Sequence, residues 1–545
     1  MRLFATVLAA FAAAFTTPAL AADWYLAETD HFKIYSRDTK SSTEEFAKEL
    51  ERLDEVLRII SGVGPDDGSL PPSSKVIVFR FGQLKDMAIL AGRPQSGIGG
   101  FFIPRASGSY AFVPRRQDTT YDRSNQGRVA GMELDPKAVL FHEYVHYFMY
   151  QHRNAPYPAW YREGFAEVFS TLRSEGDRFV IGDAPTWRSL EIMAVDIDVE
   201  EMFAPPEKPD RYTVARTYGH GWLLSSLLNF TPERRPQITD YVTRLARGED
   251  RIEAAKASFG DLDQLEDEMN KYRRGAAKVL KARYMYPDEP KVTIRPLAED
   301  EEARIDLMIE SKVGVDKKAA AKQLPQARAL ADRYPDSVPV MMAAMEVEFD
   351  NKNYAEAEAF AQRILAKEPN STEAAIYLAN TALMRSKDDP AMMALARERF
   401  IAANNMEHDH PVPLYGYYLT YLLAGEEAPS DAKAALEGAY QYAPFDPAIR
   451  MSLAHMFLLE DELGISKALL NPLIQTGHGT REARCLAHEL ELFEQGDKDP
   501  LLERIGPKHP AAERDKDEAE DEGKSEDSDS DTSSQSDCGD AKQAA

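Results

Sequence analysis

Two cysteines, Cys485 and Cys538, are all that the 545 residues hold. That excludes a framework of several disulfides and leaves the fold to packed apolar cores. Basic charge is also scarce: 65 Lys and Arg stand against 91 Asp and Glu, a formal net charge of −26. A chain that neutralises phosphates needs a basic surface, so nucleic acid is excluded as a partner. Long apolar runs are missing after the opening residues, and no later segment approaches the roughly 20 apolar residues that span a bilayer. The opening, MRLFATVLAAFAAAFTTPALAADW, sets Arg2 before an apolar run and ends in an Ala19-Leu20-Ala21 site, the form of a secretory signal peptide. Residues 1–21 are read as that signal, the mature chain as exported to the periplasm or extracellular space with no integral membrane segment. No cysteine follows the cleavage site, which argues against a lipid anchor.

What is present falls into three compositions. HFKIYS and KVIVFRF read as strands, STEEFAKELERLDEVLRIISG as a helix stopped by a glycine, and GGFFIPRASGSYAFVP as a hairpin around Ser107-Gly108. Asp135-Pro136 starts a helix over about residues 136 to 152, with Asp135 as its N-cap and Pro136 in its first turn. From about residue 300 the chain turns to alanine-rich amphipathic helices that repeat. Pro335 and Pro369 are 34 residues apart, and further units start near His410-Pro411 and Ala443-Pro444. Residues 508–545 hold 13 acidic and 5 basic side chains and almost nothing apolar, so the tail, 505–545, is expected to be a disordered, solvated spacer.

The helix at 136–152 contains FHEYVHYFMY, with His142 and His146 four positions apart and Glu143 after the first. Residues four apart share a helix face, so both imidazoles can reach one ion, and Glu143 sits at the edge of that face, near a water held there. The plainer reading is a polar pair capping an apolar core, but two histidines and a glutamate inside so apolar a helix need polar partners. PAWYREGFAEVFS reads as a second helix, returned by the short turn NAPYP, and its Glu163 and Glu167 share a face that comes back over the histidines. That helix therefore offers a third ligand. Glu167 reads equally well as a hydrogen-bond partner of a ligand histidine or as an ordinary surface glutamate, and Trp160 as a packing residue.

HEYVH followed by WYREGFAE resembles the gluzincin metallopeptidases of the peptidase MA clan. The likeness implies an α+β metallopeptidase domain over residues 22–295, with one Zn2+ held by His142, His146 and Glu163 and with Glu143 as general base. It also implies a downstream tyrosine that hydrogen-bonds the oxyanion. Tyr218 in RTYGHGW fits best by position, with His220 and Tyr212 as rivals, and a tyrosine capping a core helix reads as well at each. In this clan an edge strand takes the substrate, and SGSYAFV, residues 107–113, is the candidate, the alternative being an internal strand. The second half, 315–495, resembles the tetratricopeptide repeat, which implies an all-α solenoid of helical hairpins whose concave face suits a peptide or protein partner. The expected function is a zinc-dependent peptidase acting on peptide or protein substrates. The rivals are an inactive protease-like scaffold that binds peptides or envelope proteins, and a zinc hydrolase that is not a peptidase.

Overall fold

Period-two alternation builds the sheet. The strands are β1 (Tyr25–Glu28), β2 (Phe32–Ser36), β3 (Val76–Arg80), β4 (Phe101–Ile103), β5 (Tyr110–Val113), β6 (Arg173–Glu175), β7 (Arg178–Ile181), β8 (Leu280–Arg283) and β9 (Thr293–Pro296). This computed structural model describes residues 24–512 and 514, apart from 65–71, 93–98, 116–134, 153–154, 207–209, 276–277, 287 and 476–480. The expected signal peptide lies outside the described residues. Six strands form one sheet in the order β4-β5-β3-β2-β1-β9, with β2-β3 and β3-β5 parallel, and β6, β7 and β8 form a smaller antiparallel sheet.

In the large sheet Phe32, Ile34, Val76, Val78, Ala111 and Val113 face one core, and Tyr35, Phe79, Tyr110 and Phe112 face the other. Parallel strands are buried on both faces, and these are. On the second face a ladder of rings crosses four strands: Tyr35 stacks on Phe79 at 5.5 Å, Phe79 on Phe112 at 5.2 Å, and Phe112 on Phe101 at 4.8 Å. The run 107–113, proposed as an edge, is a correction: β5 lies between β4 and β3. The hairpin partner FFI takes the edge instead, because Phe101 pairs with Phe112 and closes β5 off from solvent.

The first face packs against α1 (Lys40–Ser61) and α2 (Pro136–His152). Thr39 caps α1 by accepting from the Ser42 amide at 3.2 Å, and Gly62 ends it at φ 65°, a left-handed conformation that glycine adopts without strain. Asp135 opens α2 by accepting from the Lys137 amide at 2.9 Å. Behind α2 lies a buried polar network. Asp54, 1% exposed, accepts from the Tyr144 hydroxyl at 2.7 Å and from Arg58 Nε at 2.5 Å, and His31 reaches both Asp54 and Glu51.

The remaining elements used below are α3 (Ala159–Ser170), α4 (Gly221–Phe230), α5 (Ile305–Val313), α6 (Val338–Asp350), α7 (Tyr354–Lys367), α8 (Thr372–Arg385), α9 (Met392–Asn404), α10 (Pro411–Leu423), α11 (Ser430–Tyr442), α12 (Pro447–Leu459), α13 (Leu463–Ile474), α14 (Arg481–Glu494) and α15 (Asp499–Ile505). From α6 to α13 they form successive helical hairpins, compatible with a tetratricopeptide-like solenoid. Three of these hairpins open on a capping side chain: Ser337, His410 and Asp446 accept from the first-turn amides of α6, α10 and α12, with proline in the same turn. Cys485 on α14 is disulfide-bonded, its partner lying outside the described residues. The expected acidic tail enters the described chain only at its start, and 515–545 lie outside it. Among the described residues no helix is long and apolar enough to cross a membrane.

Among the contacts that join the halves, two matter most to the site. Helix α5 lays Ile305, Met308 and Ile309 on the ring ladder while its Leu307 packs with Ala327 and Val347 of the helical half. The turn before α12 reaches α2, where Phe445 meets Tyr147 at 5.3 Å and Asp446 accepts from the Ala106 amide at 3.0 Å.

The network behind α2 yields the first prediction. Asp54→Ala removes the carboxylate to which Arg58 Nε and the Tyr144 hydroxyl donate, so unfolding in urea should show a loss of about 3–5 kcal/mol. A loss under about 1 kcal/mol would mean that the network does not hold α2 in place.

Candidate metal centre

α2 puts His142 and His146 one turn apart with their rings 4.7 Å apart at 88°, edge to face. α3 returns Glu163, 4% exposed, over them. His142 Nε2 and His146 Nε2 each lie 3.2 Å from Glu163 Oε2, and the two nitrogens are 3.1 Å apart. Hydrogen bonds serve such a triangle badly, since an N–H aimed at one corner points about 60° away from the other. A cation at its apex serves all three atoms. Zinc–ligand bonds of about 2.0–2.1 Å in a tetrahedron put neighbouring ligand atoms roughly 3.3 Å apart, which these edges match. Two imidazoles and a carboxylate are also the donor set that zinc takes in catalytic sites.

The electrostatics follow from the same closeness. Burial alone would lower the His142 pKa, but the hydrogen bond with Glu163 and the charges of Glu167, Glu163 and Glu143 outweigh it and raise it. Burial would raise Glu163, but the His146 charge and the contacts with both imidazoles hold it well below the usual carboxylate range. Glu143 is half-buried, and its charge acts on both His142 and Tyr218.

Glu167 is no surface glutamate. It is 1% exposed, accepts from Arg188 Nε at 2.8 Å and Trp187 Nε1 at 3.1 Å, and holds one oxygen 3.7 Å from His142 Nδ1. That is ion-pair range, longer than a hydrogen bond. Tyr218 lies over the site: its ring stacks near His142 at 6.3 Å and 23°, with the Arg188 guanidinium 4.3 Å above it. Burial together with the Glu163 and Glu143 charges raises its pKa despite Arg188, which keeps it a neutral phenol and a hydrogen-bond donor. The two rivals are not brought to the triangle. Tyr212 is 43% exposed, and its hydroxyl accepts from Arg211. His220 faces the Val195 and Glu191 backbone, and burial with the Arg273 and Arg216 charges pushes its pKa down to about 4.

Glycines set these distances. A Cβ on Gly164 would lie 2.1 Å from the Gly221 backbone, and one on Gly221 would lie 2.4 Å from the Trp160 carbonyl, so α3 and α4 cross in backbone contact. Just before that crossing, Arg216–His220 form a π-turn, a wide turn frequent at functional sites, and Tyr218 is carried on it. Reading the sequence missed Arg188, Trp187 and Arg162, whose Nε lies 3.2 Å from Glu163 Oε1. Only the glycines of REG and GHG signalled the crossing.

No protein-family model matches the chain, and no curated protein matches it in sequence. Among solved structures, a thermophilic TPR protein of Thermus thermophilus matches 38% of this chain and 96% of its own, at 17% identity and a TM-score of 0.27.

Gly164→Ala tests the crossing. The added methyl must push α4 and the π-turn away from α3, at a cost of about 1–3 kcal/mol or more, read by thermal or urea unfolding. A variant as stable as the parent would contradict the backbone contact.

Proposed function

We propose that the protein is an exported zinc-dependent peptidase of the gluzincin type. The observation that carries the reading is the triangle of His142, His146 and Glu163, whose 3.1–3.2 Å edges suit a tetrahedral cation. Zinc held there supplies a Lewis acid and brings the pKa of a bound water toward about 7. This chain's residues do the rest. The Glu143 carboxylate takes the proton of the water that attacks the peptide carbonyl and passes it to the leaving amine nitrogen. The Tyr218 hydroxyl donates to the oxygen that gains charge, and its neutral phenol keeps that proton available. Glu167, fixed by Arg188 and Trp187, stands behind His142 with its carboxylate in ion-pair range of Nδ1 and favours positive charge on that ring. A peptide substrate adds to the outer edge of β4, beside α2, where Phe102 and Tyr147 meet at 5.3 Å. The helical hairpins serve as a binding surface for substrate or a partner protein.

Purified protein should carry about one zinc per chain, and His146→Ala should lose it with no change in helical circular dichroism. Protein that stays metal-free after dialysis against zinc sinks the reading. Glu143→Gln separates a peptidase from an inactive scaffold, because it keeps the metal and removes the base. Cleavage of a broad peptide library should fall by at least about 10²-fold in this variant at unchanged zinc content. A parent that holds zinc and cleaves nothing favours the scaffold. Equal cleavage by both forms assigns the activity to another site.

A further inference from the structure

The chain turns back on itself after α15. Leu501 and Ile505 close the helical core, 0% and 2% exposed. The next described residues, 506–512 and 514, then run back across the first helices of three hairpins, with 510–512 and 514 helical. Gly506 passes α12, where a Cβ would come within 3.4 Å of His455 Nε2. His509 Nε2 lies 3.1 Å from Ser386 Oγ at the end of α8, and since that hydroxyl donates to the Leu383 carbonyl at 2.6 Å, the imidazole is the donor. Arg514 reaches the end of α6. Its Nη2 donates to the Asp350 carbonyl at 2.7 Å and its Nη1 to the Phe349 carbonyl at 3.4 Å, with the guanidinium 5.6 Å from the Phe349 ring.

These contacts are ligand-like. Pro507 and Pro510 prevent the segment from continuing α15 as a helix. Of its described side chains only Ala511 is buried, so a few polar contacts hold it, each individually weak in water, against the apolar burial that holds α15. The Arg514 cation meets carbonyls at the negative end of α6, a site that favours positive charge whatever molecule carries it. Lys508 and Arg514 against Glu513 leave this stretch with a net charge of +1, on a chain whose net charge is −26, and acidic sequence follows directly.

We propose that the face formed by the C-terminal parts of α6, α8 and α12 is a docking surface for a basic, proline-containing peptide, and that residues 506–512 and 514 occupy it as an internal ligand which such a peptide displaces. The inference is independent of the metal centre.

The test uses the full chain and a fluorescein-labelled peptide, GPKHPAAER, followed by fluorescence anisotropy. His509→Ala/Arg514→Ala frees the surface, so the peptide should bind this variant at least about tenfold more tightly than the parent, whose own segment competes at an effective concentration near millimolar. Adding Ser386→Ala should weaken that binding, and a peptide with alanine in place of its histidine and arginine should not bind. Equal binding to parent and variant, equal binding of the alanine peptide, or no binding to a variant with parental circular dichroism overturns the proposal. Should the variant misfold, hydrogen exchange on the parent decides: millimolar unlabelled peptide should speed exchange of the Ala511 and Ala512 amides, and unchanged exchange overturns it.

Discussion

The site rests on one steric fact: α3 and α4 touch backbone to backbone at Gly164 and Gly221. Helices with ordinary side chains at the contact run about 8–10 Å apart, and at that separation Tyr218 would not reach the ring of His142. The glycines cost some helix propensity and place Glu163, one residue before the contact, and Tyr218, three residues before it, against the same histidines. Arg188 then ties the two helices together, its guanidinium shared between Glu167 on α3 and the ring of Tyr218.

Burying Glu163 among apolar helices takes a charge out of water, at several kcal/mol in an apolar setting. Two imidazoles and Arg162 compensate it on one side. On the other side of α2 a second buried carboxylate, Asp54, is compensated by Arg58, Tyr144 and His31. The histidine helix is therefore held on one face by the Glu163 contacts and on the other by the hydrogen bond from Tyr144 to Asp54, and its apolar residues fill the space between. Hydrophobic burial stabilises the helix without fixing its rotation, and the two polar networks, being directional, fix it.

Local signals carried far into the structure. Gly62, Asp135 and Pro136 bound their helices where capping chemistry places them, and the proline period marks the hairpins because a first turn tolerates proline far better than a helix interior does. The shared face of His142 and His146 was legible from helix periodicity, and Glu163 was singled out over Glu167 by the motif resemblance. Strand order was not. FFI and YAFV are equally apolar, so periodicity says that they pair and is silent on which of them is the edge. Arg188 and Trp187 were hidden for another reason: they come from a single 3-10 turn after β7, too short for a period to link a residue to a face. Segment 506–514 was hidden because its contacts are mostly with main-chain carbonyls, which no pattern of side chains reports.

Helix α5 has a mechanical consequence. One side of it roofs the ring ladder and the other is a course of the helical array, while Arg105, just past the edge strand, donates to the Lys312 and Val313 carbonyls at its C-terminal end. Lys312 on the same helix is pinned by Glu346 at 2.6 Å and Glu373 at 3.1 Å, on α6 and α8. A shared rigid beam replaces the slack connection usual between folding units. A load that bends the hairpins is passed along α5 to Arg105 and β4, and bending of the array and displacement of the edge strand become one motion.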